Sequence, residues 1–198
     1  MNSPLILHNY QEKGLWYYEP PIYTTHRFIL GVPGDHPLVC FGINPSTAEP
    51  SNLDNTLKSV ARIAKNNGFD SWIMFNVSSQ RATNPNDMDK TLNLSLHKQN
   101  LEIIEEIFKT KRPLLWAAWG TIIEKRSYLT DYLNDIIVLS KKYNLKWVSF
   151  GPVSKAGHPH HPLYLSQHAK MDDFNIDNYL LTIQNIVPGG PINEQIIP

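Results

Sequence analysis

The sequence predicts an α/β fold, three layers deep (α/β/α), around a central four-stranded, mainly parallel sheet. Three observations carry that prediction. Four short runs rich in β-branched and aromatic residues, 38–43, 71–77, 113–118 and 146–150, alternate with longer stretches whose apolar residues recur at helical spacing. Those stretches are long enough to cross over a sheet, as parallel neighbours require. The strand candidates are almost continuously apolar, which suits strands covered on both faces.

Taken in chain order, residues 1–25, rich in tyrosine and proline, are expected to form an irregular arm, and 26–32 an outer strand whose partner the sequence does not assign. The first core strand, 38–43, precedes a helix marked by Leu53, Leu57, Val60, Ala61 and Ala64. The second, 71–77, precedes a helix with Leu94, Leu101, Ile104, Ile107 and Phe108 on one stripe. A third helix over 122–139 separates the last two strands, and Ile176, Leu180, Leu181 and Ile183 mark a closing helix over 175–184. Val187-Pro188-Gly189-Gly190-Pro191 breaks regular structure, so 187–198 reads as a tail and 26–186 as one domain.

Bulk properties narrow the function. A chain of 198 residues with 41% hydrophobic and 18% charged residues builds one sizeable core. Eighteen basic side chains balance eighteen acidic ones, so no global field draws it to nucleic acid or an anionic membrane, and such contacts need a local patch. The one cysteine, Cys40, sits in Leu38-Val39-Cys40-Phe41 and reads as a buried thiol, which excludes disulfide scaffolds and cysteine-ligated clusters. No leader-like or membrane-spanning stretch is legible, and a cytoplasmic protein without membrane partners is expected.

In an open parallel sheet, ligands bind beyond the carboxyl ends of the strands. All four core strands end in polar loops here: Gly42-Ile43-Asn44-Pro45-Ser46-Thr47, then Asn76 through Ser79 and Arg81 to Pro85, then Trp119-Gly120, then Gly157-His158-Pro159-His160-His161-Pro162-Leu163-Tyr164. Glycine lets backbone approach a ligand, and asparagine offers both a donor and an acceptor to a planar edge. Arg81 offers a fork for phosphate or carboxylate, or a surface ion pair. Three histidines in four residues raise zinc, but two prolines restrict their backbone and no Cys or carboxylate neighbours them, so no metal and no cofactor is assigned.

In this order the motifs resemble those of the uracil-DNA glycosylase superfamily. Gly42-Ile43-Asn44-Pro45 is similar to its first motif in the mismatch-specific form, Asn76 to the strand-end asparagine that reads the base, 115–120 to the Leu-Leu-Trp-Gly strand, and His161-Pro162-Leu163 to the late His-Pro motif. Over nearly the same stretch the chain is identified as a member of a bacterial and phage domain family of unknown function. The segments that carry this are Asn44-Pro45-Ser46-Thr47-Ala48, Asp54-Asn55-Thr56, Arg81-Ala82-Thr83-Asn84-Pro85, Ala118-Trp119-Gly120 and His161-Pro162-Leu163-Tyr164-Leu165.

The glycosylase resemblance implies the corresponding fold and a nucleobase, modified or mismatched, as ligand, carried by nucleic acid or nucleotide. It implies rupture of an N-glycosidic bond, with Asn44 and Asp54 positioning water and His158 or His161 stabilising the departing base. Asn76 would select the base, while Ser46, Thr47, Ser79 and Arg81 would hold phosphates around Gly42, Ile43, Pro45 and Gly120. Leu163 would wedge into a duplex, and Tyr164, or a residue of the N-terminal arm, would stack on the flipped base. Asn44 stands where the uracil-specific enzymes carry a water-activating aspartate, which leaves a non-catalytic base-binding protein as the alternative. A metal hydrolase built on the histidine cluster is the third reading.

Overall fold

The protein is described by a computed structural model over residues 7–9 and 14–186. The elements, in chain order, are β1 (Leu7–Asn9), β2 (Leu15–Glu19), β3 (Ile29–Val32), β4 (Pro37–Gly42), α1 (Asn55–Asn66), β5 (Ser71–Asn76), α2 (Leu94–Lys111), β6 (Leu114–Ala117), α3 (Ser127–Lys142), β7 (Trp147–Phe150), β8 (Met171–Asp173) and α4 (Ile176–Ile186). Short 3-10 turns lie at Pro85–Asp87, Gly120–Lys125 and Pro162–Tyr164. The expected tail, 187–198, falls outside the described residues.

The sheet is mixed and has eight strands, in the order β1-β2-β3-β5-β4-β6-β7-β8. This corrects the expectation of a four-stranded sheet. The four anticipated strands are its parallel centre, β5-β4-β6-β7, and antiparallel strands extend both sides. Residues 15–19, expected within an irregular arm, are one of these additions. Leu15-Trp16-Tyr17-Tyr18-Glu19 pairs with β3, sending Tyr17 into one core and Trp16 and Tyr18 into the other. The flanking prolines and polar residues hide this strand, because its stability comes from pairing with β3. At the opposite edge, β8 is short, exposed and acidic, a composition that blunts edge-to-edge pairing and conceals a strand.

Alternation along the central strands sorts side chains between two cores. Leu38, Cys40 and Trp116 face α1, whose Leu57, Val60, Ile63 and Ala64 cover them. Val39, Phe41, Phe75 and Leu115 face the other side, under α2, α3 and α4. Cys40 is fully buried, and burial pushes its thiol well up, so it is inert core. Among the described residues no helix is long and apolar enough to cross a membrane.

This topology fixes where a site can form. From β4 the chain crosses through α1 to β5 on one side. It then returns through α2, on the opposite face, to β6 on the other side of β4. The connections therefore diverge between β4 and β6, and the loops leaving their carboxyl ends part to leave a crevice.

Candidate functional site

The floor of the crevice is made by paired strand ends. Gly42 and Asn76 are the last residues of β4 and β5 and lie in register. The ladder continues past them, with Val77 N–H donating to the Gly42 carbonyl at 2.9 Å and Ser78 N–H to that of Ile43 at 2.8 Å. A Cβ at Gly42 would lie 2.9 Å from Asn76 Nδ2 and 2.6 Å from Met74 Cε. The missing side chain is what allows the Asn76 amide to lie across the strand end.

Asn76 is 2% exposed, and its amide has one orientation. Arg27 Nη2 donates to Oδ1 at 3.4 Å, so the oxygen faces Arg27 and Nδ2 is the donor left for a ligand. The Asn76 carbonyl accepts from Asn100 Nδ2 at 2.9 Å, which holds the strand end from the α2 side. Arg27 also donates to the Ala48 carbonyl at 3.2 Å and is 2% exposed. Burial, and then the charge of Arg81, pull its guanidinium down to about 9, against the smaller opposing pull of Asp54.

Arg81 reaches the same carbonyl. Its Nη1 donates to Ala48 at 3.2 Å and to the Ser46 carbonyl, its Nη2 donates to Tyr18 Oη at 3.0 Å, and the guanidinium lies 4.2 Å from the centre of the Tyr23 ring. The sequence left Arg81 open to phosphate, carboxylate or a surface ion pair, and the resemblance implied phosphate; here both Nη atoms fix the loop after β4 and Tyr18. Two guanidiniums thus converge on one carbonyl, and among the described residues neither has a carboxylate in an ion pair.

Asn44 stands on this fixed loop. Its Nδ2 donates to the carbonyls of Pro45, at 3.0 Å, and Ala82, at 2.7 Å, which leaves Oδ1 as an acceptor. Ser46 Oγ is 3.2 Å from Thr83 Oγ1, so both hydroxyls tie adjoining loops, and Thr47 is exposed. The Ile43 and Pro45 side chains are buried, so they shape the loop and present only backbone. Ser79 is 4% exposed and lines a different cavity, described below, which removes it from the phosphate-holding group.

Across the crevice, Gly120 follows β6 with a φ of +63°, a conformation that favours glycine, and a Cβ there would meet His161 at 3.7 Å. His161 caps the turn at Pro162–Tyr164. Its Nδ1 accepts the Leu163 N–H at 3.4 Å, so in the neutral ring the proton is on Nε2, a donor. Burial pushes its pKa down, opposed by the charge of Asp54. Asp54 caps α1, accepting the Leu57 N–H at 2.9 Å, and its charge acts on both Arg27 and His161. Leu163 and Tyr164, 45% and 77% exposed, stand on the same turn, with the Tyr164 ring 6.0 Å from that of His161.

His158 does not join this group, a correction to the catalytic candidates. It is 1% exposed, with Nδ1 at 2.8 Å from Tyr179 Oη and Nε2 at 2.9 Å from Glu124 Oε1, so neither nitrogen is left for a ligand. Trp119 Nε1 donates to the same Tyr179 oxygen at 2.8 Å, and the network anchors α4 to the end of β6. Trp72, Phe75 and Trp119 are core. Sequence reasoning missed Arg27; the one signal was a charged residue inside the apolar run 26–32.

The lowered pKa of His161 has a readable consequence. The unfolded histidine takes up its proton near pH 6.5 while the folded ring stays neutral until lower pH, so stability is lost as pH falls through that window. Urea unfolding at pH 7 and pH 5.5 should show this loss, and His161→Asn should reduce it. An identical pH dependence in the variant would contradict the assignment.

A family model described as "Protein of unknown function (DUF1643)" matches residues 27–163. The match spans more than half of the chain, and the chain belongs to this family. No curated protein and no solved structure matches it.

Proposed function

We propose that this DUF1643 member uses the crevice between β4 and β6 to recognise a nucleobase, modified or mismatched and carried by nucleic acid or nucleotide, and cleaves its N-glycosidic bond. The observation that carries the reading is a set of three hydrogen-bonding groups of fixed polarity at one end of the sheet. Asn76 and His161 each offer a donor to a planar heterocycle edge, and Asn44 offers an acceptor to water. Leu163 and Tyr164, exposed beside His161, supply apolar and aromatic surface for a base turned out of its stack. A uracil-DNA glycosylase-like arrangement of the fold belongs to the same proposal.

In the reaction, the oxygen of water bonds to the anomeric carbon as the C–N bond breaks, and the bonding pair leaves with the base. Asn44 Oδ1 orients the water and Asp54 takes its proton. His161 Nε2–H and the Arg27 charge stabilise the anionic base. One observation favours binding without cleavage: the Asn44 amide is committed to loop carbonyls and cannot take a proton, so acid–base work falls to Asp54 alone.

The test is a panel of base-modified oligonucleotides and nucleosides, with released base detected by mass spectrometry. Asp54→Asn keeps the helix cap, since asparagine caps about as well as aspartate, and removes the proton acceptor. Release should fall about 100-fold or more with binding retained. Saturable binding of one nucleotide without release from any substrate would establish the binding-only reading, and neither binding nor release would overturn both.

A further inference from the structure

The α2 stripe of Leu101, Ile104, Ile107 and Phe108 should continue apolar toward the helix start, yet its next inward positions are His97 and Asn100, 6% and 0% exposed. His97 lines a small cavity between the start of α2, the start of α3 and the loop after β5, together with Ser79, Asp89, Asn93, Tyr128 and Tyr132. The cavity is about 20 Å³, space for one group the size of a water molecule.

One wall carries a buried acceptor. His97 Nε2 is 2.9 Å from Asp135 Oδ2, so the proton of the neutral ring is on Nε2 and Nδ1 holds a lone pair. Nδ1 is buried and has no partner. The ring lies flat on Tyr132, with centroids 3.7 Å apart and planes 3° apart, which holds its orientation. Burial raises the pKa of Tyr128 and Tyr132, so both remain neutral phenols. Asp89 brings a carboxylate with no ion pair among the described residues, and Arg126 is committed to the carbonyls of Asn86, Met88 and Asp89.

A space of this size, with an unpartnered buried acceptor and a carboxylate, matches a head group that donates and is positively charged. We infer that the cavity binds a primary ammonium head group, with Asp89 as its counter-ion and His97 Nδ1 as its buried acceptor. The site lies on the α2 and α3 side of the sheet and stands independently of the base-binding reading.

Methylammonium is the probe, and tetramethylammonium, with the same charge but no N–H, is the control. With the full chain at constant ionic strength, methylammonium should shift the His97 ring nitrogens saturably in long-range 1H–15N spectra and raise the melting temperature. Asp89→Asn, at an exposed position, should weaken that binding about fivefold. A linear, non-saturating response, an equal response to tetramethylammonium, or an affinity unchanged in Asp89→Asn would overturn the inference and leave a water as the occupant.

Discussion

Arg27→Met is expected to weaken nucleobase binding about 10- to 100-fold while leaving the fold intact, because the lost bond is a charge-assisted one that orients Asn76. Methionine fills much of the same space, and removing a buried cation relieves its desolvation, so stability should change little. The Ala48 carbonyl keeps a donor in Arg81 Nη1. Only Asn76 Oδ1 loses its partner, and the amide is then free to present either end to the ligand. Discrimination between bases should therefore relax together with affinity. The measurement is a titration of the best binder from the base panel against wild type and variant, with urea unfolding in parallel. Unchanged affinity in a folded variant would show that Arg27 does not set the polarity of the site.

Gly42→Ala is expected to be the second large loss, destabilising by about 1–3 kcal/mol as an overpacked core position does, and reducing base binding as well. The added methyl would meet two groups that differ in how easily they yield. Met74 Cε, at 2.6 Å, is the end of a flexible side chain. Asn76 Nδ2, at 2.9 Å, belongs to an amide held by Arg27. Pairing Gly42→Ala with Met74→Val separates the two, because valine removes the methionine tip. Stability should partly return in the double variant, and binding should not. Recovery of both would mean that the glycine serves packing alone.

Much of this site was legible because its residues end strands. Asn44, Asn76 and Gly120 directly follow or close apolar runs that could only be buried strands, and a parallel sheet presents such ends together. The acceptor role of Asn44 and the donor role of Asn76 were not legible. Either amide can face either way in the sequence, and the direction follows from Pro45 and Ala82 for one and Arg27 for the other. Arg27 itself was hidden, because an arginine in a short outer strand reads as an edge position, while its partner Asn76 is 49 residues away. His97 and Asn100 left a readable trace as polar residues on an apolar helical stripe. The trace says that something polar is buried there, and only packing against Asp135 and Tyr132 says what remains unpartnered.

The α/β class, the four parallel strands with their helices, and the end of the sheet where polar loops gather are legible along the chain. Those follow from periodicity and loop composition, which are local. The fold set the eight-stranded extent of the sheet, since β2 and β8 exist through their pairing with remote strands. It also distinguished two histidines three residues apart: Tyr179 and Glu124 claim both nitrogens of His158, while His161 uses Nδ1 alone, to accept the Leu163 N–H. That choice rests on hydrogen bonds between segments distant in the chain, and hydrogen-bond partners at such separations are set by the fold.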